Sequence, residues 1–164
     1  MKLDLEQLRD LHMKNWMTHD ALWYGEVAKA SGMAVASPMN LRVCRKLGQI
    51  EFGRLMRMVG ASPPKDMGQY RELFELGQQA FFPDFVTVQI DYPARDTQVF
   101  SVLDCFAHKG MEKAGLLADY ECGIFERIEG WFDAMALQYT RTPDLGRCLK
   151  FLGKDCTVTV QCFF

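Results

Sequence analysis

Apolar positions along the first 82 residues recur at intervals of three and four, and from residue 85 onward they alternate. The first pattern predicts helices and the second predicts strands. Asp4 with Gln7 reads as a capping box opening a long helix. The steps Leu5, Leu8, His12, Trp16, His19, Trp23, Val27 mark its expected inner face, and the helix is expected to end at Ser31-Gly32. Ser37-Pro38 reads as the N-cap and first residue of a second helix ending at Gly60, with Val43, Leu47, Ile50, Arg54 or Leu55, and Met58 inward. Asp66 opens a third, with Tyr70, Leu73, Phe74 and Leu76, ending near Phe82-Pro83. Residues 85–90 and 97–105 then predict a hairpin around Tyr92-Pro93-Ala94-Arg95-Asp96.

Helices are expected over 106–116 and 122–137, the second burying Ile124 or Phe125, Ile128, Trp131, Phe132 and Met135. Residues 148–152 and 156–164 are expected to be strands, with Cys156, Val158, Val160, Cys162 and Phe164 on one face. The fold class read from this order is α+β: a helical N-terminal half plus a four-stranded antiparallel sheet covered by helices. One domain is expected over 1–164, with a helical subregion 1–82 and a sheet-containing subregion 83–164.

Composition narrows the function. Hydrophobic residues make up 49% and charged residues 24% of the 164, with a net charge of −2. No dense basic face is implied, so nucleic acid is not an expected partner. No apolar run nears the ~20 residues that cross a bilayer, and no membrane partner is expected. The acidic start, Met1-Lys2-Leu3-Asp4-Leu5-Glu6, lacks the apolar stretch of a signal peptide, so a cytoplasmic location is expected. The six cysteines should then be thiols or metal ligands rather than disulfides.

Three constellations could carry chemistry. Cys122, at a predicted helix start, and Cys148 and Cys156, flanking a predicted turn, could bind zinc as thiolates. That requires a wide loop from about Leu149 to Asp155. Asp144, Asp155, Cys162, and the Cys105/His108 pair are candidates for a fourth ligand. Buried cysteines are also common as plain small hydrophobes. On the first helix, His12, Trp16, His19 and Trp23 share a face. They could pack on the core, or wall a pocket in which His19 orients or protonates a ligand. On the second helix, Glu51 and Arg54 are spaced to pair, and Arg42, Arg45 and Lys46 form a basic cluster. Such clusters are mostly solvated faces, but this one could attract an anionic partner. Phosphate-binding loops, HExxH and GxSxG are absent.

The segment Trp16-Met17-Thr18-His19-Asp20-Ala21-Leu22-Trp23, followed by Gly32, Asn40, Glu51 and Arg54, resembles uncharacterised bacterial cytosolic proteins related to the L-2-amino-thiazoline-4-carboxylic acid hydrolase family. The second half, from Asp104-Cys105 through Cys122 and Trp131 to Cys156-Thr157-Val158 and Cys162-Phe163-Phe164, looks like the same group. It is also similar to the vinyl-4-reductase-type ligand-binding domain. In those domains cysteines at a similar spacing hold zinc, with a carboxylate three residues before the second cysteine. Leu145 stands at that position here, and Asp144 is one residue away.

The resemblance implies a small-molecule-binding protein with a cysteine-rich zinc site, acting as a hydrolase of a small cyclic amidine or thiazoline-like compound. His19, Asp20 and Glu51 would be catalytic, Trp16, Trp23 and Arg54 would bind the ligand, and zinc would be the cofactor. The alternatives are a non-enzymatic ligand-binding or sensor domain with structural zinc, acting through a partner, and an assembly protein pairing through the first helix. A homodimer is the default oligomer.

Overall fold

A computed structural model describes residues 2–164 and has the expected α+β architecture. Five helices accompany four strands: α1 Leu5–Ser31, α2 Met33–Val59, α3 Met67–Phe81, β1 Thr87–Ala94, β2 Thr97–Asp104, α4 Phe106–Lys113, α5 Gly123–Ala134, β3 Gln138–Thr142 and β4 Thr157–Phe163. The strands form one antiparallel sheet in the order β1-β2-β4-β3. Among the described residues, no helix is long and apolar enough to cross a membrane.

Local chemistry explains most boundaries. The capping box at Asp4 forms, with the Gln7 amide donating to its carboxylate at 2.8 Å and its own amide donating to Gln7 Oε1 at 3.2 Å. Gly32, with φ of +78°, ends α1 and starts α2 in a single residue. The Ser37-Pro38 start is corrected accordingly: both residues lie inside α2. Ser37 is buried, and its hydroxyl meets the Tyr24 hydroxyl at 3.1 Å and donates to the Asp119 carbonyl at 3.3 Å. Its side chain ties α1 to the loop before α5 instead of capping a helix.

The fourth strand is also displaced from expectation. Residues 148–152 form a turn, closed by the Lys154 amide donating to the Leu149 carbonyl at 3.0 Å. The strand is β3, where Tyr139 and Arg141 turn inward between exposed Gln138, Thr140 and Thr142.

The main core lies between the sheet and helices α2, α3 and α5. Phe52, Tyr70, Phe74, Phe100, Trp131 and Phe132 interlock there as tilted and edge-on rings. A chain of hydrogen bonds serves the buried Tyr70 and Gln98. The Tyr70 hydroxyl donates to Gln98 Oε1 at 2.7 Å, and Gln98 Nε2 donates to the Tyr92 hydroxyl at 3.3 Å.

The closest helix pairing joins α2 and α5, and glycines set its distance. A β-carbon at Gly48 would fall 1.9 Å from the Arg127 carbonyl oxygen, and one at Gly130 would fall 2.2 Å from that of Arg45. Only residues without a side chain allow these two backbones to touch. By contrast α1 rests lightly on the rest, with only Tyr24 and Ala28 buried, against Ala36, Met111, Leu117 and Tyr120.

Candidate functional site

A cavity lies under α1. It lies between α1, α2, α4 and the start of α5, and measures about 790 Å³ counting its open mouth. Met17, Ala21, Val43, Leu47, Phe106, Met111 and Ile124 give it apolar walls. A second cavity of about 410 Å³ continues toward the sheet between Phe82, Val88, Phe100 and Trp131. The two share Met17, Phe106, Ile124 and Arg127 in their walls. Sites of this size and character are typical for small apolar ligands.

Polar groups gather on one side. Arg127 Nε and Nη2 each donate to a Glu51 carboxylate oxygen at 2.7 Å, and Trp131 Nε1 donates to Glu51 Oε1 at 2.7 Å. The Arg127 guanidinium lies over the Trp16 ring, 5.0 Å from its centre. Asp20 faces the same space, and burial raises its carboxyl above the usual range although Arg127 and His19 pull it down. Cys44 stands beside Asn40 on the α2 wall, with its thiol donating to Asn40 Oδ1 at 3.7 Å. Burial, with the Asp20 charge next in weight, pushes that thiol up to about 12. Cys44 is therefore a neutral thiol at neutral pH and a poor nucleophile. Gly123 makes room for the pair, since a β-carbon there would meet Cys44 Sγ at 2.8 Å and Asn40 Nδ2 at 3.0 Å.

The residues expected to act divide sharply. Trp16 and Asp20 line the cavity. His19 is exposed and outside its lining, and Trp23 is 67% exposed. The reason is rotation of α1: it turns Met17, Asp20, Ala21 and Tyr24 inward and leaves much of the expected stripe outside. The α2 stripe is corrected in the same way, with Val43, Ile50 and Met58 exposed and Gly48, Glu51, Phe52, Leu55 and Met56 buried. Glu51 does not pair with Arg54. It is committed to Arg127 and Trp131, while Arg54 is exposed. His19, Asp20 and Glu51 thus stand in three settings: the exposed surface, the cavity wall and a buried ion pair.

The expected ligands Cys122, Cys148 and Cys156 are not gathered into one group. Among the described residues, no three His, Cys, Asp or Glu side chains come together to hold a metal ion. Cys148 Sγ lies 3.6 Å from His108 Nδ1, and the His108 amide donates to Cys105 Sγ at 3.5 Å. At the start of α5, backbone amides draw the Cys122 thiol down, but burial outweighs them and pushes it up to about 12. Burial likewise lifts Cys156 to about 11.

Fold and cavity together define a class: a four-stranded antiparallel sheet clad in helices, with an apolar chamber under a lightly seated first helix. Within that class, the chain belongs to a family of unknown function, DUF6125, which it matches over residues 2–139. No curated protein matches it. Among solved structures it is similar to trafficking protein particle complex subunit 3 from Naegleria fowleri, described as covalently bound to palmitic acid. The two share 12% identity and a TM-score of 0.53, over 88% of this chain and 93% of that one. At that identity the likeness establishes a common fold. With no metal-holding group among the described residues, the reading as a zinc-containing hydrolase or zinc-containing sensor is overturned.

Proposed function

We propose that this chain is a non-catalytic assembly subunit of the cytoplasm that holds an extended apolar chain in its joined cavities. It pairs with a second copy of itself through the exposed edge of α1. The observation that carries the reading is the pair of apolar cavities that share Met17, Phe106, Ile124 and Arg127 in their walls. A single alkyl chain suits the apolar lining of both cavities and is thin enough to pass along their shared wall. The palmitic acid of the trafficking subunit with the same fold is a ligand of that kind.

The chain is held without a covalent bond, because the Cys44 thiol stays protonated at neutral pH. The pairing surface is α1, where Leu22 and Trp23 are 65% and 67% exposed.

Titration with a fluorescent sixteen-carbon fatty acid tests the ligand. Saturable binding by the wild type, lost in Ala107→Trp, which fills the cavity wall, is expected. No saturable binding, or equal binding by both proteins, refutes it. Light scattering tests the pairing: a dimer mass for the wild type and a monomer mass for Leu22→Glu/Trp23→Glu are expected, and a monomeric wild type refutes it.

A further inference from the structure

The outward face of α2 has an unusual composition. Val35, Met39, Arg42, Val43, Lys46, Ile50, Arg54 and Arg57 are all exposed, and their spacings of three, four and seven place them on one side of the helix. Four are aliphatic and four are cationic. The only acidic residue of α2, Glu51, is on the buried side and bound to Arg127. A fifth cation, Arg45, is occupied by Glu129 and Asp133 of α5. Among the described residues, Arg42, Lys46, Arg54 and Arg57 take part in no ion pair. The molecule as a whole carries −2, so the rest of it is net acidic and this face stands out electrostatically.

We infer that this face of α2 docks onto an anionic phospholipid surface, with the helix lying along the membrane plane. Val35, Met39, Val43 and Ile50 enter the boundary between headgroups and acyl chains. The Arg and Lys stems lie among them and carry their charges to lipid phosphates. A helical protein partner fits less well. Arg42, Lys46 and Arg57 share the sector of the aliphatic residues rather than flanking it, so a closed helix–helix seam would desolvate them. From Val35 to Arg57 the face spans roughly 33 Å at 1.5 Å per residue. It is already ordered by packing against α5, so docking costs little conformational entropy.

This replaces the expectation of no membrane partner, which rested only on the lack of a spanning segment. Val43 belongs to both the face and the cavity wall, so docking turns the cavity toward a source of alkyl chains.

Vesicle sedimentation of the full chain tests the inference, using phosphatidylcholine vesicles with and without about a third of phosphatidylserine. Binding to the anionic vesicles only, weakened by salt, is expected. Arg42→Gln/Lys46→Gln should weaken it roughly 25-fold, about fivefold per cation, without moving the thermal midpoint. Arg54→Gln/Arg57→Gln supplies a second pair should the first perturb folding. Met39→Ser/Ile50→Ser should weaken binding while leaving its salt dependence unchanged. The cavity-filled Ala107→Trp should bind vesicles as the wild type does, so failure of the chain-holding function is separable from failure of docking. Absent binding, equal binding to neutral vesicles, or unchanged binding in both charge-neutralised pairs overturns the inference. Capture by an acidic helical peptide without vesicle binding does the same and assigns the face to a protein.

Discussion

Gly48→Ala probes the seam on which the cavity floor depends. The new methyl carbon would sit 1.9 Å from the Arg127 carbonyl oxygen, 2.8 Å from its carbonyl carbon and 3.2 Å from its Cα. All three are backbone atoms, so no side-chain rotation relieves the contact. Restoring ordinary van der Waals distance requires α2 and α5 to part by roughly 1.5 Å. That movement loosens Phe52 and Leu55 against Trp131 and stretches the Glu51–Arg127 pair. Alanine offsets part of the loss, by about 1 kcal/mol of helix propensity. Overpacking of a tight site costs about 1–3 kcal/mol or more, and here every clashing atom is backbone, so a net loss of about 2 kcal/mol is expected. For a chain of this size that lowers the thermal midpoint by roughly 4–8 °C. Gly25→Ala in α1 is the control: nothing lies within 4 Å of its β-carbon, so it should be neutral or stabilising by up to about 1 kcal/mol. Thermal and urea unfolding of both variants measure the difference. A Gly48→Ala protein as stable as the wild type would refute the close approach of α2 and α5.

Glu51→Gln should cost about 3 kcal/mol in urea unfolding, because it leaves the mostly buried Arg127 charge without its counterion. Asp20→Asn should stabilise the protein at pH 7. Burial raises the Asp20 carboxyl in the folded state, so keeping it ionised costs stability above that raised value. The advantage of the Asn variant should shrink as pH falls and vanish below the unfolded value of 3.8. Cys44→Ser should retain binding of the fluorescent fatty acid, and native Cys44 should react slowly with thiol reagents at pH 8, in keeping with a thiol pushed up to about 12.

The fold class was legible in the chain because the change from helical to alternating periodicity at residue 85 is sharp. The inward faces of α5 and β4 were legible too: Phe125, Ile128, Trp131 and Phe132 are buried, as are Val158, Val160 and Cys162. The faces of α1 and α2 were not. Both helices carry large apolar residues on several sides, and those that point outward, Trp23 and Val43 among them, are as hydrophobic as those that point in. Gly48 and Gly130, each an unfavourable choice in a helix interior, were the available signal for the seam. β3 was missed because Tyr139-Thr140-Arg141-Thr142 is short and polar, while the turn after Cys148 has the apolar look of a strand. The Glu51–Arg127 pair joins residues 76 positions apart and leaves no local trace, so the nearer Arg54 was its natural candidate.

Native mass spectrometry of the protein, purified without detergent or added lipid, tests the central claim most directly. The wild type should carry an added mass of one long-chain lipid that leaves on mild denaturation, and Ala107→Trp should carry none. A wild-type chain that shows only its bare polypeptide mass, even after incubation with palmitic acid, would contradict the account.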